Sequence, residues 1–369
     1  MRAACSGVDL AEDAVAAARV LIQARESMEF TRFDGNLGNV SGLPDYAAGK
    51  LVVSPTALEA FATCPQRYFV ERLLRVEPLQ DPEEIIQIRA VDIGTLIHEA
   101  MDALITEAER DGTLPTYGEP WSIDHHRRLR EIALEKAEEF TRRGVTGHPR
   151  LWQADRAQIL VDLERMLADD DAWRAERRAA VLGSELIFGM KGAPPVTVPI
   201  DGGEVLMRGS ADKVDQALDG TLLVTDIKSG RADKFRPLKD DPVVAGTKLQ
   251  LPVYAYAARR EFHGDAVEAQ YWFVRRGDAG RRIPVVLDAG LERQYAATLS
   301  TLVTSIARGM FVGKPSEKPG YGYVDCPYCT PDGIGHEEAR LRYVRKRTAP
   351  VLEPLIALVD PDALAGDTE

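Results

Sequence analysis

The stretch from Arg208 to Gly230, RGSADKVDQALDGTLLVTDIKSG, decides how the rest of this chain is interpreted. It contains two short β-type runs joined by a turn signal, and each run carries an acid. Side chains alternate across a strand, so Asp226 and Lys228 lie on the same face of the second run. Asp212 lies on the first run. The stretch therefore predicts a hairpin with an acid on each strand.

The length of the turn decides whether the two acids meet. A two-residue loop at 219–220 would place Asp212 and Asp226 on opposite faces of the ribbon. A three-residue loop at 218–220, with Gly220 in the left-handed conformation, places the two acids opposite each other. This register also pairs two β-branched side chains, which favours it; they are Val214 and Val224.

This pair of acids indicates a particular chemistry. Two carboxylates that converge at the end of a strand are unfavourable unless a cation lies between them, and oxygen ligands suit Mg²⁺ or Mn²⁺. An ammonium at Lys228 could orient or help deprotonate an attacking water and stabilise charge that builds on a phosphate. A lone D-x-K triplet can also be an ordinary charged surface hairpin. The other motifs of the chain favour a metal-dependent site for phosphodiester cleavage.

The composition is that of a folded protein with an ample core. The chain has 369 residues, of which 45% are hydrophobic and 28% are charged, and its net charge is −12. We expect two or three closely packed lobes. The negative charge argues against a general nucleic-acid binder. Any DNA contact must therefore come from local basic patches, for which residues 231–239 and 340–347 are the candidates.

No segment predicts a membrane span or a leader peptide. No uninterrupted apolar run approaches the ~20 residues of a transmembrane helix. The N-terminal sequence MRAACSGVDLAED lacks a basic region followed by an apolar block. We therefore expect a cytoplasmic protein without a membrane partner. The sequence also lacks the motif G-x-x-x-x-G-K-S/T, so motor activity would require a separate subunit.

Helical patterns flank the hairpin on both sides. Residues 1–50 predict an N-terminal helix and linker. Residues 51–335 predict the main domain, within which residues 111–180 form a charged helical insertion without recognisable chemistry. Residues 336–369 predict a helical tail.

Three further elements carry candidate site residues. Residues 85–110 predict a long amphipathic helix whose apolar stripe includes His98. A single histidine in such a stripe is more often a hydrogen-bonded core residue than a ligand. Glu185 lies on the first strand of a predicted antiparallel meander, where it either adds an acid to the site or faces solvent. Gln250 and Tyr254 are four residues apart and lie on one face of a predicted helix.

The four cysteines do not suggest a disulfide framework. Cys326 and Cys329 form a C-x-x-C. Residues 63–66 have the spacing of a capping box, which places Cys64 at a helix N-terminus. The helix dipole favours a thiolate there, which suits a metal ligand, whereas a half-buried structural cysteine is the alternative.

Taken in order, these motifs resemble those of the PD-(D/E)XK nuclease superfamily, in particular the RecB-like nuclease domain of AddB-type helicase–nuclease subunits. The resemblance covers residues 54–335. It consists of a histidine on a helix, a G-x-x-D strand, a D-x-K strand and a Q-x-x-x-Y helix. The matching residues are His98, Asp212, Asp226 with Lys228, and Gln250 with Tyr254. The implied fold is α/β of the α+β kind, with a restriction-endonuclease-like core in which helices flank a mixed sheet.

The resemblance also implies a role for each matched residue. The implied ligands of a divalent metal, Mg²⁺ or Mn²⁺, are His98, Asp212, Asp226 and the Ile227 carbonyl. Lys228 would be catalytic, and Gln250 and Tyr254 would position the DNA strand. The expected function is a metal-dependent deoxyribonuclease, an exonuclease of DNA repair or recombination, that acts with a separate helicase subunit.

Many relatives also hold a four-iron, four-sulfur cluster through one upstream and three downstream cysteines. Cys64, Cys326 and Cys329 match three of these positions, but Gly335 stands at the fourth. Such sites normally need four ligands. Either another residue completes the cluster, or the cysteines form only a packed clasp between the C-terminal segment and the Cys64 helix. The available substitutes are His336 and Cys5.

Two rival functions follow from the same motifs. The first is a catalytically silent DNA-binding or scaffolding subunit of a helicase–nuclease complex, against which the intact Asp212, Asp226 and Lys228 argue. The second is a metal-stabilised interaction protein centred on the C-x-x-C at 326–329. It leaves the acids of the hairpin unexplained.

Overall fold

The computed structural model of the chain describes residues 12–77, 85–275, 277–315 and 335–364. The α-helices in these ranges are α1 (Glu12–Glu26), α2 (Pro55–Thr63), α3 (Pro65–Tyr68), α4 (Ala90–Arg110), α5 (Ile123–Arg142), α6 (Pro149–Arg177), α7 (Gln250–Phe262), α8 (Ala289–Ala307), α9 (His336–Lys346) and α10 (Glu353–Val359). None of the helices within the described ranges is long and apolar enough to cross a membrane.

The strands in the same ranges divide between two sheets. They are β1 (Ala48–Val53), β2 (Ala179–Phe188), β3 (Val196–Ile200), β4 (Gly203–Met207), β5 (Gly209–Ala217), β6 (Leu222–Lys228), β7 (Val267–Phe273) and β8 (Arg282–Val286). The larger sheet has the order β2-β5-β6-β7-β8, and the smaller has the order β1-β4-β3.

The larger sheet is mixed and has helices on both faces. β5 and β6 are antiparallel, whereas β6 and β7 are parallel and are joined through α7, as a parallel pair requires. Val224 of β6 packs in the core that includes residues of α7 and α8. Ile227 faces the opposite core, formed with α4, α5 and α6. The predicted mixed sheet flanked by helices is confirmed.

The β5–β6 hairpin has the three-residue loop that the sequence favours. Val214 pairs with Val224, and the Ala217 amide donates to the Thr221 carbonyl at 2.9 Å. Gly220 has a φ of 90°, the left-handed conformation that such a loop requires. This register continues to the open end of the hairpin, where the two acids lie.

The predicted single antiparallel meander is wrong, because its strands belong to two sheets. β3 and β4 pair with each other and join β1, while β2 pairs directly with β5. The chain changes sheet at Arg208, whose amide donates to the Val53 carbonyl at 3.0 Å. At the next residue, Gly209, a Cβ would lie 2.8 Å from the Phe188 ring. The alternation of apolar and polar residues is similar before and after Arg208. The sequence pattern therefore does not reveal that the chain changes sheet there.

Two helix starts differ from their predicted positions. α4 begins at Ala90 instead of residue 85, because Arg89 is extended, with φ −73° and ψ 151°. The capping box at residues 63–66 is not formed, since the Thr63 hydroxyl donates back to the Glu59 carbonyl at 2.7 Å. Cys64 is itself the extended residue before α3, as expected of a residue that precedes proline. Its predicted place at a helix N-terminus is confirmed.

The helical insertion carries a buried charge network that the sequence interpretation missed. Lys213 of β5 is 1% exposed and donates to Asp170 of α6 at 2.8 Å and to Asp215 at 2.6 Å. Arg174 also donates to Asp170, at 2.9 Å. Buried charges are costly unless they are paired, and removing one partner leaves the other uncompensated. The network therefore fixes α6 against the strand that carries Asp212.

Candidate active site

The open end of the β5–β6 hairpin collects several of the predicted site residues. Nδ1 of His98, on α4, lies 2.9 Å from Oδ1 of Asp212. The second carboxylate oxygen of Asp212 accepts a hydrogen bond from the Ile227 backbone amide at 2.6 Å. One half-buried carboxylate thus joins α4, β5 and β6, and these two contacts set its orientation.

Asp226 and Lys228 lie side by side on β6, as the alternation of the strand predicts. The Lys228 ammonium contacts Oδ2 of Asp226 and donates to Oε1 of Gln250 at 3.1 Å. Nε2 of Gln250 in turn donates to the Tyr254 hydroxyl at 3.4 Å. A continuous set of polar contacts therefore runs from the hairpin to the first turns of α7.

The end of the hairpin carries excess negative charge. Asp226 is only 4% exposed, and this burial raises its pKa. The Lys228 ammonium opposes the effect, while the neighbouring charge of Asp212 adds to it. A further cation close to both carboxylates would therefore be stabilised.

The two basic groups of the site respond to these acids. Burial would lower the pKa of Lys228, but Asp226, Asp212 and Glu59 together outweigh burial and the pKa is raised. Burial likewise opposes protonation of His98, but the hydrogen bond with Asp212 and the charges of Asp212 and Asp226 together raise the pKa of His98. Lys228 therefore carries a full positive charge at neutral pH.

The donor set fits a hard divalent cation. Asp212 and Asp226 supply carboxylate oxygens, and His98 supplies an imidazole nitrogen beside them. Across the described ranges, no three His, Cys, Asp or Glu side chains form a ready-made metal cluster. In this arrangement Asp226 contacts Lys228. Asp212 contacts the imidazole of His98 and the backbone amide of Ile227. Metal binding would therefore require these side chains to change partners.

The start of α7 is held by two residues, Glu59 and Tyr295. The sequence interpretation did not identify either of them. Oε1 of Glu59, on α2, accepts a hydrogen bond from the Leu249 amide at 2.6 Å. The Tyr295 hydroxyl, on α8, donates to the Leu249 carbonyl at 3.1 Å. Leu249 directly precedes Gln250, so these two contacts fix the residue that bonds Lys228. Glu59 and Leu249 are 190 residues apart, and no local motif connects them.

Glu185 lies next to Asp212 in register but does not bond to it. The β2–β5 pairing of Ser184 with Lys213 leaves Glu185 opposite Asp212. The backbone at Glu185 is left-handed, with φ 45°, and its exposed carboxylate pairs with Lys191 at 3.4 Å. Its role as an additional acid remains a prediction.

The predicted cysteine clasp lies largely outside the described residues, as do Cys5, Cys326 and Cys329. Cys64 is buried, and its sulfur accepts from the Lys314 amide at 3.4 Å. The Gln66 amide also donates to the Val312 carbonyl, at 3.3 Å. The chain therefore returns to the Cys64 helix shortly before the segment that holds the C-x-x-C. The cluster and the alternative ligand His336 remain predictions.

The C-terminal basic patch, residues 340–347, has a structural use. Lys346 is 1% exposed and donates to the Ala24 carbonyl at 2.7 Å. Arg347 pairs with Asp360 at 3.1 Å. Lys346 thus holds α1, and Arg347 holds the C-terminal tail. The sequence suggested that these cations contact DNA, but these structural contacts occupy them.

Comparison with known proteins agrees with this geometry. The sequence profile described as PD-(D/E)XK nuclease superfamily matches residues 52–333. The matched region contains the whole larger sheet and every residue of the hairpin site. The chain belongs to the PD-(D/E)XK nuclease superfamily.

Individual relatives are similar over a shorter region. The B-type subunit of an ATP-dependent helicase/deoxyribonuclease from Symbiobacterium thermophilum is 32% identical over 223 residues, which are 56% of this chain and 18% of the relative. A protein of the same name from Desulforudis audaxviator is 29% identical over 59% of this chain and 18% of its own length. Among solved structures, the crystal structure of SSO0001 aligns with 65% of this chain and 84% of that chain, at 16% identity and a TM-score of 0.22. The chain thus spans about a fifth of these curated relatives.

Proposed function

We propose that this chain is a divalent-metal-dependent DNA nuclease that hydrolyses phosphodiester bonds. The observation that supports this proposal most strongly is the meeting of Asp212, Asp226 and Lys228 at one end of the β5–β6 hairpin. His98 from α4 and Gln250 from α7 contact the same group. Membership of a nuclease superfamily supports the same chemistry.

The metal would be held by His98, Asp212, Asp226 and the carbonyl of Ile227, and Mg²⁺ or Mn²⁺ suits these donors. When bound, such a cation lowers the pKa of water and stabilises negative charge on a phosphoryl oxygen. The protein contributes orientation. The imidazole of His98 and the amide of Ile227 hold both oxygens of Asp212 and so keep this carboxylate at the end of the hairpin, beside the other donors.

Lys228 acts as a cation in this proposal. Burial would lower its pKa, but the charges of Asp226, Asp212 and Glu59 together raise it, so Nζ keeps its proton at neutral pH. The ammonium is directed by Asp226 and Gln250. A positive charge fixed in this way stabilises the negative charge that develops on the phosphate during cleavage.

Gln250 and Tyr254 position the DNA strand. The side-chain amide of Gln250 contacts both Lys228 and Tyr254. Burial raises the pKa of Tyr254 well above its ordinary value, so its hydroxyl stays neutral and can donate a hydrogen bond. These two side chains can therefore bind a phosphate or sugar oxygen without adding charge.

We further propose that the nuclease works with a helicase motor in DNA repair or recombination. The proteins to which the chain is similar are named as B-type subunits of an ATP-dependent helicase/deoxyribonuclease. The chain spans 18% of their length and has no G-x-x-x-x-G-K-S/T motif. Any motor activity would thus belong to another part of such an assembly. Action from DNA ends, as an exonuclease, fits a nuclease supplied with DNA by a motor.

The test is cleavage of linear and covalently closed circular DNA by the purified chain, with Mg²⁺, Mn²⁺ or EDTA. An exonuclease degrades the linear DNA in the presence of metal and leaves the circle intact. Cleavage of both substrates would indicate an endonuclease. DNA binding without cleavage under all metal conditions would contradict the proposal and favour a silent DNA-binding subunit.

A further inference from the structure

Lys248 lies two residues before Gln250, at the entrance to α7. Its ammonium lies 4.6 Å from the centroid of the Phe235 ring. The Lys228 ammonium lies 5.2 Å from the Tyr271 ring, and the Phe235 and Tyr271 rings pack edge to face at 4.7 Å. The two ammoniums therefore flank one aromatic pair beside the acids of the hairpin.

The positive charge at Lys248 has no acid bound to it. Within the described ranges no carboxylate lies at ion-pair distance from its ammonium, whereas Lys228 contacts Asp226. Glu59 is near enough to attract Lys248, but its carboxylate accepts from the Leu249 amide at 2.6 Å. The charge of Lys248 is thus less compensated than that of Lys228.

This arrangement is unfavourable for the protein alone. Lys248 is half-buried, and burial lowers its pKa, as do the neighbouring charges of Lys228 and Lys234. A chain with a net charge of −12 nevertheless gathers three lysines at this point. A half-buried ammonium among like charges is stabilised when an anion joins it. The location therefore suits a negatively charged ligand.

The rest of the basic segment 231–239 contributes less positive charge. This segment forms a 3-10 helix, Ala232–Lys239. Arg231 and Arg236 both pair with Asp233, at 3.3 Å and 2.6 Å. Lys234 is exposed on the same segment and acts on Lys248. Of the patch that the sequence indicated, Lys234 is thus the cation whose charge acts on Lys248.

We propose that Lys248 and Lys234 form a phosphate-binding subsite that holds the DNA backbone at a phosphate next to the one cleaved. The inference rests on the proposed function and adds the residues that hold the strand. A DNA strand carries a phosphate at every nucleotide, so a strand with one phosphate at Lys228 brings others alongside it. Each ammonium lies over its own ring of the aromatic pair, Lys248 over Phe235 and Lys228 over Tyr271, so the two can contact different phosphates.

The test measures DNA binding without cleavage. A labelled linear oligonucleotide is titrated with the full chain in EDTA, by fluorescence anisotropy, at several salt concentrations between roughly 50 and 200 mM. The variants are Lys248→Met, Lys248→Arg and Lys234→Met. Lys239→Met is the matched control, because Lys239 is exposed on the same segment and is not among the charges that act on Lys248. Thermal unfolding of each variant checks the fold.

Each Met variant at the subsite should weaken binding roughly fivefold to tenfold at low salt. The slope of log binding constant against log salt should fall by about 0.7 to 0.9, the effect of losing one phosphate contact. Lys248→Arg and Lys239→Met should keep the wild-type slope. Because Lys234 is exposed, its variant tests the subsite even where Lys248→Met is unstable.

An unchanged slope in both Met variants overturns the inference and leaves Lys248 as a lysine that only packs on Phe235. An equal fall of the salt slope in Lys239→Met overturns the inference as well. The lysines would then attract DNA only through their general positive charge and not through a specific phosphate contact. Cleavage is assayed separately with metal. A chain that binds with the predicted slopes but never cleaves would contradict the proposed function and leave the subsite supported.

Discussion

Lys228 is the residue at which the contacts of the site meet. Its ammonium touches the Asp226 carboxylate and the Gln250 side-chain oxygen, and it lies over the Tyr271 ring. Three different elements, β6, α7 and β7, therefore direct one positive charge. The hydrogen bond from Lys228 to Gln250, 3.1 Å long, links β6 to α7 at this point.

Replacing this charge should remove most of the activity. We expect Lys228→Met to lower the single-turnover rate of DNA cleavage by a factor on the order of 10² to 10³, because a charge aimed at the reacting phosphate is lost. Lys228→Arg should retain part of the rate. The rates are measured with saturating metal, and thermal unfolding shows whether Asp226 tolerates the loss of its partner. Cleavage by the Met variant at the wild-type rate would exclude Lys228 from the chemistry.

At the scale of elements, the start of α7 depends on two other helices. Glu59 of α2 accepts from the Leu249 amide, and Tyr295 of α8 donates to the Leu249 carbonyl. A helix begins with unpaired amides, and an acceptor near them stabilises it. Here the acceptor comes from a distant helix, so α2 controls where Gln250 lies.

Glu59 is therefore a positioning residue for the proposed reaction. We expect Glu59→Ala to lower cleavage about 10-fold to 100-fold, as the loss of a supporting partner does at metal sites. Glu59→Gln keeps an acceptor for the Leu249 amide and should restore most of the rate. Hydrogen exchange at Leu249 should become faster in the Ala variant alone. Equal losses in Ala and Gln would show that the charge matters and the hydrogen bond does not.

The contact of α6 with β5 has a pH dependence of its own. Burial raises the pKa of Asp215 to about 6, against the attraction of Lys213. An unfolded aspartate has a pKa of about 3.9. Between these values the folded chain binds more protons than the unfolded chain, so the contribution of Asp215 to the free energy of unfolding decreases as pH rises through this window.

Asp215→Asn removes that titration. We expect its stability relative to the wild type to rise by on the order of 2 to 3 kcal/mol between pH 4 and pH 7. Urea unfolding at several pH values measures the difference. Asp240→Asn, at an exposed position, should show no such trend. A pH-independent difference for Asp215→Asn would mean that the carboxyl group stays ionised throughout.

Local rules predicted the hairpin and its neighbours correctly. The pairing of Val214 with Val224 and the need for a left-handed residue selected the three-residue loop, and both are present. The helix that carries Gln250 and Tyr254 also forms as predicted. These features depend on periodicity and turn geometry, which a single sequence contains.

Contacts between distant residues could not be predicted in this way. Lys213 and Asp170 look like ordinary charged residues, and only the fold shows that both are buried. The hydrogen bond of Glu59 to Leu249 links residues far apart in the chain without any shared motif. The change of sheet at Arg208 leaves the apolar pattern intact. Each of these features depends on how distant parts of the chain pack together. The alternation of strands and the spacing of helices do not contain that information.

At the scale of the whole molecule, three lysines gather beside the acids of the hairpin on a protein that is acidic overall. The net charge of −12 disfavours general attraction to DNA. The positive charge close to the acids of the hairpin comes from Lys228, Lys234 and Lys248. Binding should therefore be local, salt-dependent and weak away from the site. A separate motor that delivers the strand would compensate for this weakness.

The central claim is that the acids at the open end of the β5–β6 hairpin perform metal-dependent DNA cleavage. The most direct measurement compares cleavage of linear DNA by the wild type, Asp226→Asn and Asp240→Asn, with Mg²⁺ and with EDTA. Asp226→Asn keeps the size of a side chain that is 4% exposed and removes its charge. We expect cleavage by the wild type and Asp240→Asn with Mg²⁺ only, and none above background by folded Asp226→Asn. Cleavage by Asp226→Asn at the wild-type rate, or undiminished cleavage in EDTA, would contradict it.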